Sequence, residues 1–214
     1  SRRISNLSLA DSLGIDFHKT GFAPYISSLF VVADQGNLEL LRRDPASMPY
    51  LFNTGEKHPG TFTLETSRGG SGILSAYASL LLLGRTGMQS LLGHMVDVAE
   101  YLRELLEGHS TTSVANDENF GTVTLFRVYP EEVDTWTIKQ RERSGQGSPE
   151  QLHRFNQYNR LVFDQMQQQA MNGLGPLISL TDCYRMTDDG LPIVAMKSYL
   201  MSPFVEYEHA KQLV

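Results

Sequence analysis

The chain of 214 residues has one cysteine, Cys183, so it cannot form an internal disulfide or a metal site from several of its own cysteines. It also lacks a block of basic residues: 18 Lys and Arg stand against 24 Asp and Glu, and the net charge is −6. That balance gives no electrostatic surface for nucleic acid or an anionic membrane. The longest apolar run, Ile73–Gly84, is about half the length of a membrane-spanning helix. We therefore expect a cytoplasmic protein that binds neither nucleic acid nor membrane, since a single cysteine also fits a reducing compartment.

The first third of the chain combines a strand, a long polar connection and a helix. Ile26–Ala33 reads ISSLFVVA, a run rich in β-branched and aromatic residues that predicts a buried strand. The segment from Asp44 to Arg68 contains three prolines and two glycines, which exclude a continuous helix. A connection of this length is typical of a functional loop, often a lid. Arg68–Gly72 (RGGSG) predicts a hinge before the apolar helix.

From residue 86 onward, the pattern alternates between helices and strands. Apolar residues from Met88 to Leu106 recur at helical spacing, and Gly108 is typical of a helix end. The later predicted elements are a strand at Thr122–Val128, a helix from Ser148 to Asn172-Gly173, a strand at Ile193–Leu200 and a last helix capped by Ser202-Pro203. Arg141–Ser148 (RERSGQGS) predicts a solvated charged linker. This order predicts a compact α/β unit, with a domain boundary near Gly84.

Lys19, next to His18, is the first residue that indicates chemistry. A lysine before a strand is most simply a solvent-exposed residue. Here the small-residue segment TGFA and a predicted core strand follow it, which predicts partial burial of the amine. Burial lowers the pKa of an amine and favours its attack on a carbonyl carbon. Pyridoxal phosphate enzymes need such a lysine on a rigid element at the floor of a cleft.

The segment Ala10–Lys19 (ADSLGIDFHK) resembles the cofactor-lysine motif of the group II pyridoxal-phosphate amino-acid decarboxylases. That family includes glutamate, aromatic-amino-acid and diaminobutyrate decarboxylases. The resemblance implies that Lys19 forms the aldimine with pyridoxal 5'-phosphate and that His18 contacts the cofactor phosphate or the substrate. The family often has Asn-Pro where Asp16-Phe17 stand here. A carboxylate at Asp16 would repel the phosphate unless it were protonated or turned away.

A second segment, Tyr50–Gly87, resembles the mobile loop, the Ser-Arg turn and the linker helix of the same family, in the same order. The resemblance implies that Tyr50 returns a proton to Cα after carbon dioxide leaves. Without the resemblance, Tyr50 would be interpreted only as an aromatic residue on a proline-rich loop. Relatives with phenylalanine at this position catalyse oxidative deamination. Ser67 matches the residue that reaches the neighbouring subunit's cofactor phosphate, although it could also be a turn serine. Arg68 receives no catalytic role.

The last resembling segment, Ala195–Ala210, contains the strand in which the family carries an arginine for the substrate α-carboxylate. Lys197 stands at that position, and a lysine supplies the charge without the bidentate fork of a guanidinium group. Taken alone, Lys197 in an alternating strand would be a solvent-facing residue. No metal site is predicted, because the histidines other than His18 lack ligand spacing: His58, His94, His109, His153 and His209.

The resemblance implies an α/β chain with the fold-type-I architecture of pyridoxal-phosphate-dependent transferases. Residues 1–84 would form the end of the large cofactor-binding domain, and residues 85–214 the small C-terminal domain. The chain starts at Ser1 in core-like sequence, so we expect a fragment whose N-terminal half is a separate chain or a missing segment. The expected assembly is a homodimer with shared sites.

The expected activity is decarboxylation of an L-amino acid to an amine and carbon dioxide. The alternatives are an aldehyde synthase or lyase of the same fold, and a non-catalytic family member that acts as a scaffold. Glutamate, aspartate, diaminobutyrate and aromatic amino acids all remain possible substrates, because side-chain selectivity is expected to depend on the missing half and on the partner subunit.

Overall fold

The computed structural model describes residues 2–53, 58–65, 68–116 and 121–214. The chain divides into two compact units, Ser1–Met88 and Gln89–Val214. Each unit has its own sheet: the first contains two strands and the second contains four. The chain therefore has mixed α/β structure, and the candidate residues Lys19 and Tyr50 both belong to the first unit.

The first unit begins with the short helix α1 (Arg2–Ser5) and continues through β1 (Ser12–Asp16), α2 (Phe17–Thr20) and β2 (Ser28–Val32). Strands β1 and β2 are antiparallel, and Asp16 at the end of β1 lies opposite Ser28 at the start of β2. The predicted strand is therefore confirmed. Its predicted burial is wrong, because Leu29, Phe30 and Val31 are exposed. A sheet of only two strands leaves their side chains uncovered in this chain.

The described residues between 44 and 65 form the irregular connection that the prolines predicted. They include the 3₁₀ turns Pro49–Phe52 and Pro59–Phe62, each with a proline in its first positions. Arg43 joins the two sides of the connection: its backbone N–H donates to the Thr61 carbonyl at 2.8 Å, and Nε donates to the Thr63 carbonyl at 2.8 Å. The guanidinium group also donates to the Leu64 carbonyl. One arginine thus fixes the base of the loop that carries Tyr50.

Helix α3 (Ser71–Gly108) contains both predicted helical segments, Ile73–Gly84 and Met88–Gly108. The backbone leaves helical geometry at Gly84, where φ is 57° and ψ is −169°, a conformation that glycine adopts without steric cost. Ser27 Oγ donates to the Gly72 carbonyl at 2.7 Å and so ties the start of α3 to the segment before β2. Among the described residues, no helix combines the length and the hydropathy that a membrane crossing requires.

The second unit is built on an antiparallel sheet of β3 (Thr112–Val114), β4 (Val123–Val128), β5 (Ser179–Met186) and β6 (Pro192–Tyr199). The strand order is β3-β4-β6-β5, so β6 lies inside the sheet. Besides the C-terminal part of α3, the described residues of this unit form α4 (Thr135–Arg143), α5 (Pro149–Met171) and α6 (Tyr207–Lys211). In the main core, Val98, Leu102 and Leu106 of α3 are buried together with Phe126 and Met196 of the sheet.

Local sequence signals predicted α5 well. The Ser148 side chain accepts a hydrogen bond from the Gln151 backbone N–H at 3.1 Å, Pro149 occupies the first turn, and Gly173 follows the helix with φ 73°. A serine cap satisfies one of the N–H groups that the first helical turn leaves without a partner. The predicted strands at residues 122–128 and 193–200 are also confirmed as β4 and β6.

Three expectations for the second unit are wrong or incomplete. The last helix begins after Glu206, whose carboxylate forms a capping box with His209, and not at Ser202-Pro203. Strands β3 and β5 and helix α4 were not predicted. Arg141–Ser148 is not wholly a solvated linker, because residues 141–143 end α4 and Glu142 is buried. The charged residues predicted exposure to solvent, whereas Glu142 pairs with the buried Arg127.

Candidate active site

Lys19 and His18 lie on α2, a single helical turn directly after β1. The His18 backbone N–H donates to the Ser27 carbonyl at 3.2 Å, which joins the turn to the residue before β2. The N–H groups of Gly21 and Ala23 both donate to the Phe17 carbonyl at 3.1 Å and close the turn. These backbone bonds hold the turn that carries Lys19 directly after β1, whereas the sequence predicted that a buried strand after Lys19 would support it.

The imidazole ring of His18 is oriented by its surroundings. Nδ1 lies 2.9 Å from the Ser27 carbonyl oxygen and 3.2 Å from the Ser27 backbone nitrogen. The ring also packs against Tyr25, with centroids 4.2 Å apart and planes inclined by 38°. Because Nδ1 faces the Ser27 backbone, the ring plane is set by that backbone and by Tyr25. A ring held in this way can contact a planar group placed beside it.

Asp16 is the direct neighbour of the Lys19 amine. Lys19 Nζ donates to Asp16 Oδ2 at 2.5 Å, and Ser28 Oγ donates to Asp16 Oδ1 at 2.7 Å. The Lys19 and Asp16 side chains are each 38% exposed, so the amine is reachable from solvent. Hydrogen bonds from Lys19 and then from Ser28 lower the pKa of Asp16, so its carboxylate is ionised at neutral pH. Ser28 had no predicted role, because only the pairing of β1 with β2 places it there.

Tyr50 lies on the 3₁₀ turn Pro49–Phe52, and its side chain is 60% exposed. Its hydroxyl lies 3.9 Å from Met48 Sδ, and the same sulfur lies 3.8 Å from Arg43 Nη1. Tyr50 therefore belongs to the loop whose base Arg43 fixes. An exposed phenol on such a loop is accessible to a ligand and is not committed to the core.

The other two predicted site residues are Lys197 and Ser67. Lys197 is half-buried on β6 of the second unit, where it pairs with Leu125 of β4 and Ser179 of β5. Ser67 lies outside the described residues, so its predicted phosphate contact has no structural description. Within the described ranges, no group of three or more His, Cys, Asp or Glu side chains is arranged to hold a metal ion.

Comparison with known families identifies the motif around Lys19. The family model for the "Pyridoxal-dependent decarboxylase conserved domain" matches residues 2–128, which is more than half of the chain. The chain belongs to the pyridoxal-dependent decarboxylase family. The match includes His18, Lys19 and Tyr50, and the resemblance seen at Ala10–Lys19 is confirmed.

Two curated relatives in this family are similar over part of the chain. Aspartate 1-decarboxylase from Aliivibrio fischeri is 26% identical over 130 residues, which are 61% of this chain and 23% of that protein. L-tyrosine decarboxylase from Enterococcus faecium is 31% identical over 106 residues, which are 47% of this chain and 17% of that protein. The aligned regions thus span about a fifth of the length of these relatives.

Solved structures match nearly the whole chain. Mouse CSAD gives a TM-score of 0.68 at 14% identity and covers 99% of this chain, which spans 40% of that protein. Oryza sativa TDC, solved with PLP, gives a TM-score of 0.64 at 15% identity, and the match covers 99% of this chain and 36% of that protein. Rhodiola rosea 4-hydroxyphenylacetaldehyde synthase gives a TM-score of 0.65 at 13% identity, and the match covers 99% of this chain and 37% of that protein. The predicted fold-type-I α/β architecture is therefore confirmed.

Pyridoxal phosphate is the cofactor of this family, and the residues around Lys19 suit its aldehyde end. Lys19 supplies a primary amine on a rigid turn, reachable from solvent, and the oriented His18 ring lies on the same turn. The ionised Asp16 beside the amine disfavours the phosphate at that place.

Proposed function

We propose that this chain is part of an enzyme that removes carbon dioxide from an L-amino acid and that Lys19 holds its pyridoxal phosphate. The observation that carries the proposal is the position of Lys19 directly after β1, on a turn held by backbone bonds and with its side chain 38% exposed. A structural lysine would need neither this rigid position nor an oriented histidine beside it. Family membership supplies the matching cofactor.

Each predicted residue has a distinct part in this reaction. Pyridoxal phosphate, when bound, would supply an electron sink for the loss of carbon dioxide. Lys19 would hold the cofactor through its amine, and His18 would contact the cofactor phosphate or the substrate. Tyr50 donates a proton to the substrate Cα from its loop, in a site from which the closed loop excludes water. Lys197 is assigned to bind the substrate α-carboxylate. Ser67 is assigned to contact the cofactor phosphate of the neighbouring subunit.

The proposed assembly completes the site. Residues 1–84 are assigned to the large cofactor-binding domain, residues 85–214 to the small domain, and the N-terminal half to a separate chain or segment. Apolar side chains on β2 and on the first turns of α3 are exposed in this chain. They are Leu29, Phe30, Val31, Ile73, Leu74, Tyr77, Leu81 and Leu82. Adjacent exposed apolar residues are typical of surfaces that another protein segment covers, which supports an N-terminal half and a homodimer.

The role of Lys19 is tested by the visible absorbance that pyridoxal phosphate acquires when it bonds to a lysine. The full-length protein is expected to show this band, and Lys19→Ala is expected to abolish it. Lys211→Ala is the matched control, because Lys211 also pairs with a carboxylate three residues away. A wild-type protein without the band would favour the non-catalytic scaffold over the enzyme.

Aldehyde synthesis is the second candidate reaction, since a protein named as an aldehyde synthase shares the fold. Tyr50 favours simple decarboxylation, because its phenol can return the proton to Cα. Product analysis separates the two: the wild type is expected to release an amine, and Tyr50→Phe is expected to shift the product toward the aldehyde. Aldehyde from the wild type would overturn the assignment.

The substrate is found by measuring carbon dioxide release across the amino acids with the full-length protein. Aspartate and tyrosine come first in this screen, because the two curated relatives are named for them. Glutamate, diaminobutyrate and the other aromatic amino acids follow.

A further inference from the structure

The Asp16 carboxylate has an unusual position for the residue that precedes a helix. Aspartate there commonly accepts a hydrogen bond from a backbone N–H of the first turn. In this chain the Asp16 side chain makes no such bond with α2. Both of its oxygens are used by side chains instead: Oδ2 by Lys19 Nζ at 2.5 Å and Oδ1 by Ser28 Oγ at 2.7 Å.

The contact differs from an ordinary surface ion pair. Arg42–Glu39 and Lys211–Glu208 also join residues three apart, and such exposed pairs contribute little. Asp16 is distinguished by its second oxygen, which a hydroxyl from the neighbouring strand fixes. The register of β1 and β2 places Asp16 directly opposite Ser28, so strand pairing brings the Ser28 hydroxyl within hydrogen-bond distance of the carboxylate.

The charged groups around Asp16 all favour its ionised form. Lys19 and His18 lie on α2, and both lower the pKa of Asp16 electrostatically, while Ser28 on β2 contributes a hydrogen bond. A carboxylate 2.5 Å from an amine in turn favours the ammonium form of that amine. An ammonium group has no lone pair, so it cannot attack an aldehyde until it loses its proton.

We propose that Asp16, fixed by Ser28, is a positioning residue that orients Lys19 Nζ and holds it as an ammonium group in the cofactor-free protein. The proposal rests on the proposed function of Lys19 and adds a control over when that amine becomes reactive. It also explains why a carboxylate is tolerated so close to the cofactor site: the carboxylate is directed at the amine and at Ser28.

The test measures the amine itself and not the reaction. The cofactor-free full-length protein is exposed briefly to an acetylating reagent at a series of pH values, and mass spectrometry gives the labelled fraction of the peptide containing Lys19. In Asp16→Asn, which keeps the size of the side chain, the labelling rate of Lys19 near pH 8 is expected to rise about two- to fivefold, the range for coupling in partly exposed ion pairs. The pH profile should shift toward lower pH.

Two further variants keep the result interpretable. Ser28→Ala leaves the charge of Asp16 in place and is expected to give a smaller change in the same direction. Glu208→Gln breaks the comparable pair with Lys211 and should change the labelling of Lys211 but not of Lys19. Thermal unfolding of each variant shows whether it is folded.

An unchanged or slower Lys19 labelling profile in folded Asp16→Asn would overturn the proposal. This result is independent of the enzyme assignment. The absence of cofactor absorbance in the wild type would refute the proposed function, whatever the labelling of Lys19 shows.

Discussion

Arg127 Nη2 lies 2.8 Å from Glu142 Oε1, and both side chains are almost completely buried, at 2% and 6% exposure. The Tyr129 hydroxyl donates to Glu142 Oε2 at 3.0 Å, and Arg127 Nη1 donates to Asn156 Oδ1 at 2.9 Å. This network joins β4 to α4 and α5 inside the second unit. Burial raises the pKa of Glu142, while Arg127 and the Tyr129 hydroxyl act in the opposite direction.

Removing one member of this buried pair is expected to destabilise the second unit strongly. Glu142→Leu leaves the Arg127 guanidinium group buried without its carboxylate, so we expect a loss of about 3 kcal/mol in the free energy of unfolding. Urea titration measures the loss. Asp182→Ala, which removes the partner of the exposed Arg160, is the control and should change stability by less than about 1 kcal/mol. Equal effects of the two variants would contradict the network's role.

The buried phenol of Tyr129 is expected to make the folded protein less stable at alkaline pH. Burial raises the pKa of its phenol well above 10.0, whereas in the unfolded chain the phenol ionises near 10.0. Unfolding therefore releases a proton above pH 10, so stability present below that pH is lost as the pH rises. Urea titrations from pH 9 to 11 should show a shallower decline in Tyr129→Phe than in the wild type. Tyr77→Phe, at an exposed position, should retain the wild-type slope.

Gly72 is required by a close approach of two backbone segments. A Cβ at Gly72 would lie 2.3 Å from the Ile26 carbonyl oxygen, whereas a Cβ at Gly70 would meet nothing within 4 Å. Gly72→Ala is expected to push α3 away from residues 26–27 and to cost about 1–3 kcal/mol. Hydrogen exchange of the peptide around Ser27 should then accelerate. The same peptide in Gly70→Ala should exchange at the wild-type rate, and acceleration in both variants would contradict the steric explanation.

Arg43 is expected to control the order of the loop that carries Tyr50. Its bonds to the carbonyls of Thr61, Thr63 and Leu64 fix one side of the loop against the other. Arg43→Met keeps much of the apolar stem and the backbone bond to Thr61 but removes the side-chain donors to the Thr63 and Leu64 carbonyls, so limited chymotrypsin digestion should cut after Tyr50 severalfold faster. Arg160→Met, at an exposed arginine of the second unit, is the control. An unchanged cleavage rate in Arg43→Met would show that other contacts order the loop.

Short-range patterns predicted the parts of this protein whose physics is local. The end of α5 at Asn172-Gly173 and its start at Ser148 follow from capping within one helical turn. The Ala10–Lys19 motif also lies within one strand and one turn, so ten residues sufficed to indicate the family that the comparison confirmed. The irregular connection after Asp44 was predicted for the same reason, since its prolines act on the adjacent backbone.

Long-range relationships could not be predicted in this way. Glu142 was assigned to a solvated linker because its neighbours are charged, yet Arg127, fifteen residues earlier, draws it into the interior. Strand β2 was expected to be buried because its residues are apolar, but burial depends on what packs against it, and among the described residues it pairs only with β1. The last helix was placed too early, because Glu206 and His209 form a cap that only the folded geometry reveals.

The order of residues along the chain indicated the family and most helix and strand positions, because each depends on neighbours within a few residues, and it singled out Lys19 as the proposed cofactor lysine. The fold decided which side chains meet. Asp16 contacts Lys19 within one turn, but the hydroxyl that fixes its carboxylate comes from Ser28 through strand pairing. Arg127 and Glu142 likewise meet only because β4 and α4 pack together. Contacts across a sheet or between helices depend on register and packing, which no local pattern encodes.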